Sequence, residues 1–389
     1  MTTSQQQTSI LILGATGAVG QEMLRILAER RWPANRLRLV ASETSAGREI
    51  DYCEQRLSVM RLSREVFHDV GLVLSAASAE VARTWLPYAV EAGARVIDNS
   101  SCFRHHAGVP LVIPEVNGSE LLGFDSEPRL IANPNCSTIL LLVAVNPLRQ
   151  RFGLKAIDVC TYQAVSGAGL PAIEELHNQA EAYLSGQPRA CSVFPEPCAF
   201  NVFNHESAVD PDTGLNGEEQ KMIGETRRIF SDPELAVTPT CVRVPVFRAH
   251  SQAVTVTLAA SANLAEVHAA YAGAPGLRMI DNREQRLFPT PLAATGQDEI
   301  LVGRFRPDPA ALLSRDGRTN RWCLFLSGDQ LRKGAALNAI QIGDLIGWNT
   351  RQPAAPKSTA LKQRSPKTVF AKNGIPESKQ PINPPGVDG

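Results

Sequence analysis

The sequence predicts an α/β protein with two domains: a parallel sheet covered by helices on both faces, followed by an α+β domain with a mixed sheet. Three observations support this fold class. Short apolar strands alternate with helical stretches through the first third of the chain. Longer β-rich runs follow residue 136, as expected for a mixed sheet. The length of 389 residues also exceeds that of one ordinary domain.

A strand, a glycine turn and a helix open the chain and indicate a dinucleotide site. The apolar run Ile10 to Leu13 leads into Gly14, Gly17 and Gly20, and residues 21–30 have helical periodicity. Glycines let the backbone turn tightly and approach a pyrophosphate, whose charge then lies at the helix N-terminus. An ordinary βα turn is the alternative. The order of elements favours a Rossmann-like, dinucleotide-binding first domain.

The remaining elements follow from apolar runs and helical periodicity. Strands are predicted at residues 37–41, 70–75, 95–98 and 129–132, and then at 154–165, 236–246 and 252–259. Helices are predicted at 217–229 and 333–346. The expected domain boundaries are 8–132 for the dinucleotide-binding domain, completed by a helix in 329–349, and 133–328 for the second domain.

Residues 350–389 are predicted to form a disordered tail. From Thr350 onward the chain has seven prolines, seven Lys or Arg, two acids and little apolar content. A basic tail could bind an acidic partner, but a solvated appendage is the simpler interpretation.

The composition excludes several classes of function. The 39 Lys and Arg balance the 39 Asp and Glu, so no nucleic-acid partner is expected. The N-terminus lacks the features of a secretory signal, and no apolar run is long enough to span a bilayer. The eight cysteines form no Cys-x-x-Cys pair, which argues against a zinc site and a disulfide framework. We therefore expect a cytoplasmic protein without a metal site.

Cys136 is the strongest candidate for a nucleophile. It follows Asn133, Pro134 and Asn135, where the chain breaks, and precedes the apolar, helix-prone stretch 139–145. A thiol at a helix N-terminus lies in a positive potential that favours the thiolate, the species that attacks carbonyl carbon. The alternative is a small buried hydrophobic residue, as most free cysteines are.

Three polar residues of the second domain suit the chemistry of such a thiol. Gln163 lies where a strand gives way to the glycine-rich run 166–169, so its amide can be held near the thiol. Arg243 can bind a carboxylate through two hydrogen bonds, and His250 can carry a proton. Arg243 and His250 are separated by an odd number of residues, which would place them on opposite faces of one unbroken strand. A bend or bulge between them is therefore required if both side chains are to face one site. Each residue also has a purely structural interpretation.

Glu218 and Lys221 share one face of the predicted helix 217–229. A surface ion pair, worth ~0.3–0.5 kcal/mol, is the simplest interpretation of this spacing.

These motifs, in this order, resemble the aspartate-β-semialdehyde dehydrogenase family from Ile10 to about Ile346. The resemblance implies a reversible, NADP-dependent reductive dephosphorylation of L-4-aspartyl phosphate to L-aspartate 4-semialdehyde through a cysteine thioester, on the route to lysine, threonine and methionine. It also implies a second domain for catalysis and dimerisation, in a homodimer or homotetramer. The matching runs are residues 14–20, 45–47, 97–101, 103–104, 109–117, 133–136, 161–169, 199–201, 243–250 and 328–334.

The same resemblance assigns roles to individual residues. It places Arg243 at the substrate α-carboxylate, Glu218 at the ammonium group, and Lys221 and Arg104 at phosphate. The catalytic residues are Cys136, His250 and Gln163. The substrate-binding residues are Arg104, Asn135, Gln163, Glu218, Lys221 and Arg243. The cofactor-binding residues are Gly14, Thr16, Gly17, Ala18, Val19, Ser42, Thr44, Ser45, Ser166, Gly167 and Gln330.

One departure from the family leaves the cofactor open. The family branch that this chain resembles carries an arginine facing the 2′-phosphate of NADP, where this chain has Thr44. Glu43 also lies where an acidic side chain would accept a ribose 2′-hydroxyl and repel a 2′-phosphate. Ser42 and Ser45 can still hydrogen-bond a phosphate. NADP is expected, and NAD or dual use is the alternative.

Other functions fit parts of the sequence. N-acetyl-γ-glutamyl-phosphate reductases share the reaction type, but that family has His-Pro-Gly-Cys around its thiol. Phosphorylating glyceraldehyde-3-phosphate dehydrogenases would show Ser-Cys-Thr-Thr-Asn, which is absent. A non-catalytic paralogue acting as a binding protein would be expected to lack the cysteine, whereas Cys136, Gln163, Arg243 and His250 are all present.

Overall fold

The structure is a computed structural model that describes residues 9–123, 128–311 and 314–348. The predicted tail at residues 350–389 lies outside the described residues. Within them the chain forms two seven-stranded sheets, one mostly parallel and one mixed, with helices packed against both. The predicted α/β fold class is confirmed.

The first sheet is built from residues 9–132. Its strands are β1 (Ser9–Leu13), β2 (Leu37–Ala41), β3 (Glu49–Tyr52), β4 (Gln55–Arg61), β5 (Val70–Ser75), β6 (Arg95–Asp98) and β7 (Leu130–Ala132). They lie in the order β3-β4-β2-β1-β5-β6-β7, and every pair except β3–β4 is parallel. The strands predicted at 37–41, 70–75 and 95–98 have the predicted bounds, because parallel strands buried on both faces have continuous apolar sequences.

The second sheet is mixed. Its strands are β8 (Leu154–Gln163), β9 (Phe203–Asn204), β10 (Ala236–Arg243), β11 (His250–Ala262), β12 (Leu277–Met279), β13 (Ile300–Pro307) and β14 (Thr319–Gly328). They lie in the order β12-β13-β14-β11-β8-β10-β9, and only β8–β10 and β12–β13 are parallel. The predicted strands at 236–246 and 252–259 have different ends, because the chain turns through residues 244–249 with Ala249 at a positive φ of 73°.

The helices complete both cores. They are α1 (Ala18–Glu29), α2 (Ala79–Glu91), α3 (Pro114–Asn117), α4 (Cys136–Phe152), α5 (Leu170–Leu184), α6 (Gly217–Ile229), α7 (Leu264–Tyr271), α8 (Pro291–Ala294) and α9 (Leu337–Leu345). The apolar residues of α4 lie in the core of the second sheet, and those of α9 lie in the core of the first. The helix predicted at 217–229 is confirmed as α6. The helix predicted at 333–346 begins instead with a π-helical turn, Arg332–Ala336. No helix among the described residues is long and apolar enough to cross a membrane.

The glycine turn between β1 and α1 is closely packed. The strand order reverses at β1, between β2 and β5, and ligands of open parallel sheets bind at such points. Gly14 has a φ of 85°, and a Cβ on it would lie 2.7 Å from the carbonyl oxygen of Ala76. A Cβ on Gly20 would lie 2.2 Å from the carbonyl oxygen of Gly14. Both glycines are therefore required for α1 to lie against the strand end.

Gly20→Ala is expected to destabilise the fold, because its methyl group would overlap the carbonyl oxygen of Gly14. Overpacking of this kind costs roughly 1–3 kcal/mol, and the free energy of unfolding in urea measures it. Gly17→Ala is the matched control, since a Cβ there meets Gly14 only at an ordinary 3.4 Å. Equal stability of the two variants would contradict this explanation of the turn.

Candidate active site

Cys136 is the first residue of α4, as the sequence predicts. Asn135 caps the helix, with its Oδ1 accepting a hydrogen bond from the N–H of Thr138 at 3.1 Å. The π-helical turn passes close to the thiol, since a Cβ on Gly334 would lie 3.0 Å from the Cβ of Cys136. Cys136 is partly exposed, so a small substrate can reach it.

The resting state of this thiol differs from the expected thiolate. Desolvation by its surroundings and the negative charge of Glu218 raise the pKa of Cys136 to about 11, although Arg104 acts in the opposite direction. A helix N-terminus stabilises an anion by about 0.3–1 kcal/mol, which does not outweigh these effects. Cys136 is therefore a thiol at neutral pH, and it would have to lose its proton to act as a nucleophile.

Arg243 and His250 lie side by side although they belong to different strands. Arg243 ends β10 and His250 begins β11, and both strands pair with β8. A Cβ on Gly167 would lie 3.3 Å from Nη1 of Arg243 and 3.3 Å from Nε2 of His250. The bend that the sequence required between the two residues is the loop 244–249.

His250 is buried, and a backbone amide fixes its ring. Nδ1 accepts a hydrogen bond from the N–H of Ala164 at 2.9 Å, so the neutral ring carries its proton on Nε2. Nε2 is buried and has no hydrogen-bond partner among the described residues. Burial and the positive charge of Arg243 lower the pKa of His250 to about 3. The imidazole is therefore neutral and offers an unpaired N–H donor.

Arg243 is paired with a carboxylate that the sequence did not reveal. The side chain of Arg243 is 2% exposed, and its Nη2 and Nε lie 2.6 and 3.3 Å from the two carboxylate oxygens of Glu206. Nη1 donates to the carbonyl oxygen of Ala164 at 2.9 Å, and Nε2 of His205 lies 3.1 Å from Nη2. His205 and Glu206 belong to a segment without periodicity, so no pattern predicted this contact.

Glu218 connects predicted site residues from three elements. Its Oε1 accepts hydrogen bonds from the side-chain amides of Asn135 at 2.9 Å and Gln163 at 3.2 Å. Its Oε2 lies 3.3 Å from Nζ of Lys221. Burial opposes ionisation, but Lys221 and the two amide hydrogen bonds outweigh it, and the pKa of Glu218 is about 2. The carboxylate is ionised and holds these side chains together.

The two cations expected at phosphate have separate carboxylate partners. Lys221 pairs with Glu218, whereas the buried Arg104 donates from Nη1 to Glu225 at 3.0 Å and from Nε to the carbonyl oxygen of Asn133 at 3.0 Å. Glu225 was not predicted as a site residue. It lies two turns after Glu218 on the same face of α6, so the helical spacing from Glu218 could have identified it.

The expected nucleotide-binding residues lie at the carboxyl ends of β1 and β2. Gly14, Thr16, Gly17, Ala18 and Val19 form the turn and the start of α1. Thr16 Oγ1 lies 3.4 Å from Ser45 Oγ, which joins this turn to the end of β2. Among the described residues outside its own helix, a Cβ on Gly17 would meet only the carbonyl oxygen of Gly14 within 4 Å. The turn thus leaves open space at the N-terminus of α1, which fits a pyrophosphate.

In the family branch that this chain resembles, an arginine stands at the position of Thr44. This chain has an arginine beside that position, on the neighbouring strand. Arg61 ends β4 opposite Ala41, and its Nη1 lies 3.0 Å from Oε1 of Glu43. The hydroxyl groups of Ser42 and Thr44 are 2.9 Å apart. The end of β2 therefore presents hydroxyls, a carboxylate and a guanidinium together.

Gln330 forms hydrogen bonds with the segment that is expected to bind the nicotinamide and with the loop before β11. Its Nε2 donates to Oγ of Ser166, and its Oε1 accepts from the N–H of Ala249 at 2.9 Å. Since Gly167 borders Arg243 and His250, the segment 166–167 lies next to the catalytic candidates. No group of three or more His, Cys, Asp or Glu residues in the described part of the chain is arranged to hold a metal ion.

Two family models match the chain. The NAD binding domain of semialdehyde dehydrogenase matches residues 9–123, and the dimerisation domain of semialdehyde dehydrogenase matches residues 145–333.

Individual relatives agree with these models. The chain is 42% identical to the aspartate-semialdehyde dehydrogenase of Synechocystis sp., over 87% of this chain and 98% of that one. It is 41% identical to aspartate-semialdehyde dehydrogenase 2 of Vibrio cholerae, over 88% and 98% of the two chains. A crystal structure of aspartate semialdehyde dehydrogenase II from Vibrio cholerae, complexed with ASA, has a TM-score of 0.82 at 39% identity and covers 88% of this chain and 99% of that one. These similarities favour this family over the alternatives considered from the sequence. The chain belongs to the aspartate-semialdehyde dehydrogenase family.

Proposed function

We propose that Cys136 is the nucleophile of this aspartate-semialdehyde dehydrogenase, with His250 and Gln163 as its catalytic partners. The enzyme reductively dephosphorylates L-4-aspartyl phosphate to L-aspartate 4-semialdehyde. The observation that most supports the assignment is the position of Cys136 at the start of α4, within the electrostatic field of Glu218. Glu218 also acts on His250 and binds Gln163, so the three candidates share one site.

In the proposed mechanism Cys136 attacks the acyl carbon of L-4-aspartyl phosphate, its thiol proton passes to the departing phosphate, and a thioester forms. When bound, the nicotinamide cofactor supplies the hydride for reduction. Expulsion of the Cys136 thiolate then releases the aldehyde, and the reverse direction consumes phosphate. Covalent catalysis divides one difficult transfer into two easier steps.

His250 is proposed to handle the proton at the reacting oxygen through Nε2. Since Ala164 holds Nδ1, the N–H of the neutral ring is at Nε2, which is buried beside Gly167 and has no partner among the described residues. This buried donor stabilises negative charge as it develops on the acyl oxygen. The amide of Gln163, held by Glu218, orients the acyl group.

Arg243 is proposed to bind the α-carboxylate of the substrate, because a guanidinium matches a carboxylate with two hydrogen bonds. Asn135, Gln163 and Glu218, which share hydrogen bonds with one another, are proposed to bind the substrate together with Arg243. Lys221, which is partly exposed, and Arg104 are proposed to face phosphate.

The cofactor is a nicotinamide dinucleotide, and we propose that NADP is preferred. The proposed contacts are Gly14, Thr16, Gly17, Ala18 and Val19 for the pyrophosphate, Ser42, Thr44 and Ser45 for the adenosine side, and Ser166, Gly167 and Gln330 for the nicotinamide side. Arg61 would supply the positive charge that an arginine at the position of Thr44 supplies in the family branch, since its guanidinium lies beside the hydroxyls at the end of β2. Its partner Glu43 would favour NAD instead, so the balance between them decides the preference.

The second sheet is proposed to mediate a homodimer or homotetramer. Residues 145–333 match a dimerisation domain, and a set of large apolar side chains from α5 and the following segment is exposed. They are Leu170, Tyr183, Leu184, Phe200 and Val202.

We also propose the domain boundaries and the location of the protein. The dinucleotide-binding domain comprises residues 8–132 and 329–349, and the catalytic and dimerisation domain comprises residues 133–328. The proposed location is the cytoplasm.

Cys136→Ala is expected to lower kcat by more than about a thousandfold while cofactor binding persists, because the nucleophile is lost. Absorbance of the reduced cofactor, with L-aspartate 4-semialdehyde, phosphate and NADP, measures the rate. The exposed Cys53→Ala is the control and should retain activity.

In the absence of phosphate, the wild-type enzyme should stop after about one turnover per site in the oxidative direction, because the thioester has no acceptor. Sustained turnover without phosphate would indicate a hydrolytic enzyme instead.

Alkylation of Cys136 by iodoacetamide is expected to accelerate about tenfold per pH unit between about pH 7 and 10. The pKa of Cys136 is about 11, so the thiolate fraction rises with pH throughout this range. Mass spectrometry of the Cys136 peptide gives the rate, and the exposed Cys53 monitors the reagent. A rate already maximal at neutral pH would show that the resting group is a thiolate.

Arg61→Ala is expected to weaken NADP binding about tenfold, or ~1.4 kcal/mol, and to leave the Kd of NAD nearly unchanged. Calorimetry with each oxidised cofactor, and with 2′,5′-ADP against 5′-AMP, isolates the 2′-phosphate. Arg56→Ala is the control, since Arg56 lies at the other end of β4 and is equally exposed in its pairs with Glu49 and Asp51. Similar losses for both cofactors would contradict the assignment.

A further inference from the structure

Lys333 is a buried lysine in the π-helical turn and has no role in the proposed mechanism. Its side chain is 1% exposed. Nζ donates to Oε2 of Glu115 at 2.7 Å, to Oδ1 of Asn338 at 2.9 Å and to Oε1 of Gln341 at 2.7 Å. Burial lowers the pKa of Lys333, whereas the carboxylate of Glu115 acts in the opposite direction. Since three oxygen atoms surround it, Nζ acts only as a donor.

The bond from Lys333 to Asn338 is the first of four hydrogen bonds that run in one direction. Nδ2 of Asn338 donates to Oδ1 of Asn133 at 2.7 Å. Nδ2 of Asn133 donates to Oδ1 of Asn99 at 2.9 Å, and Nδ2 of Asn99 donates to the carbonyl oxygen of Ser75 at 2.7 Å. These four bonds form an amide chain that starts at Lys333 and crosses the carboxyl ends of β7, β6 and β5.

The two ends of the amide chain fix its direction. A side-chain amide can both donate and accept, so a row of amides could run in either direction. The ammonium group of Lys333 can only donate, and the carbonyl oxygen of Ser75 can only accept, so each amide between them has one orientation. Aligned hydrogen bonds of this kind strengthen one another in a low-dielectric interior. Without Lys333, the oxygen of the Asn338 amide loses its donor, and the amide chain is no longer oriented from that end.

The amide chain includes the two residues whose backbone holds Arg104. Nε of Arg104 donates to the carbonyl oxygen of Asn133 at 3.0 Å, and Nη2 donates to the carbonyl oxygen of Asn99 at 2.7 Å. The side chains of the same two residues are joined by the 2.9 Å bond of the amide chain. That bond therefore holds together the two carbonyl oxygens that receive the guanidinium, while Glu225 binds its Nη1.

We propose that Lys333 is a positioning residue for the attack of phosphate on the thioester. By orienting the amide chain, it holds the guanidinium of Arg104 where phosphate is proposed to bind. The proposal rests on the proposed role of Arg104. Loss of Lys333 should therefore impair the use of phosphate, and it should spare formation of the thioester from the aldehyde, which needs no phosphate.

The test separates these two steps in the oxidative direction, with L-aspartate 4-semialdehyde and NADP. Lys333→Met is expected to lower kcat/KM for phosphate about tenfold. In phosphate-free buffer, stopped-flow absorbance measures one burst of reduced cofactor, which reports thioester formation. The amplitude and the rate constant of this burst should stay within about twofold of the wild type. A purely structural role would instead lower the amplitude, because fewer sites would be folded.

Asn338→Leu breaks the next bond of the amide chain and leaves the pair of Lys333 with Glu115 in place. It carries the test if Lys333→Met does not fold, and it should lower kcat/KM for phosphate by a similar factor. The double variant should lose no more than either single variant, because both substitutions break one amide chain. Gln341→Met is the matched control, since Gln341 also accepts from Lys333 but lies outside the amide chain. It should change neither phosphate use nor the burst.

Each other outcome overturns the proposal in a distinct way. Unchanged kcat/KM for phosphate in Asn338→Leu would show that the amide chain does not act on Arg104. A slower or smaller burst would mean that Lys333 supports the thiol or the fold rather than the use of phosphate. Losses that multiply in the double variant would indicate two separate roles, and an equal loss in Gln341→Met would assign the effect to the surroundings of Lys333. Arg104→Lys with unchanged kcat/KM for phosphate would overturn the proposed role of Arg104 itself, and a wild-type enzyme without a burst would overturn the thioester mechanism.

Discussion

The position of the Cys136 thiol depends on the hydrogen bonds of Asn135. Its Oδ1 caps α4, its Nδ2 donates to Glu218, and its backbone N–H donates to Glu225 at 2.6 Å. One residue therefore starts the helix that begins with Cys136 and fixes that start against α6. An ordinary N-cap contributes about 1 kcal/mol. Loss of Asn135 would cost more, because the buried Glu218 would also lose a donor and buried acceptors are expensive to leave unpaired.

The site keeps its cations neutralised by its own carboxylates. Buried charges are costly unless they are paired, so a pocket for an anionic substrate needs internal partners when it is empty. The pairs are Arg104 with Glu225, Lys221 with Glu218, and Arg243 with Glu206. Burial lowers the pKa of His250 and keeps the ring neutral, and the positive charge of Arg243 beside it acts in the same direction.

The sequence predicts the elements of this fold better than the contacts between them. Five strands of the first sheet, β1, β2, β5, β6 and β7, and helix α6 were predictable because burial leaves a continuous or periodic apolar pattern. The exposed strands β3 and β4 were not predicted, because they lack that pattern. The proximity of Arg243 to His250 was not predictable from the sequence, because it depends on the positive φ of Ala249 and on the two strands that flank β8. The pair of Glu43 with Arg61 was equally hidden, since only the parallel pairing of β2 and β4 brings them together. The thiol of Cys136 was correctly placed, but its protonation depends on buried neighbours that no local pattern shows.

Arg248 joins α1 to the residues that follow β14. Its Nη2 lies 2.8 Å from Glu22 on α1, and its Nε lies 2.7 Å from Asp329. Asp329 adjoins Gln330, and Arg248 lies two residues before His250. Ionic contacts therefore run from the helix proposed to receive the pyrophosphate to the strand that presents the imidazole. Both carboxylates are buried, and each has further donors besides Arg248: Glu22 also pairs with Arg332, and Asp329 also accepts from the N–H of Gly296. The loop 244–249 is consequently held by the first sheet as well as by the second, so the position of His250 depends on the helix that follows the glycine turn.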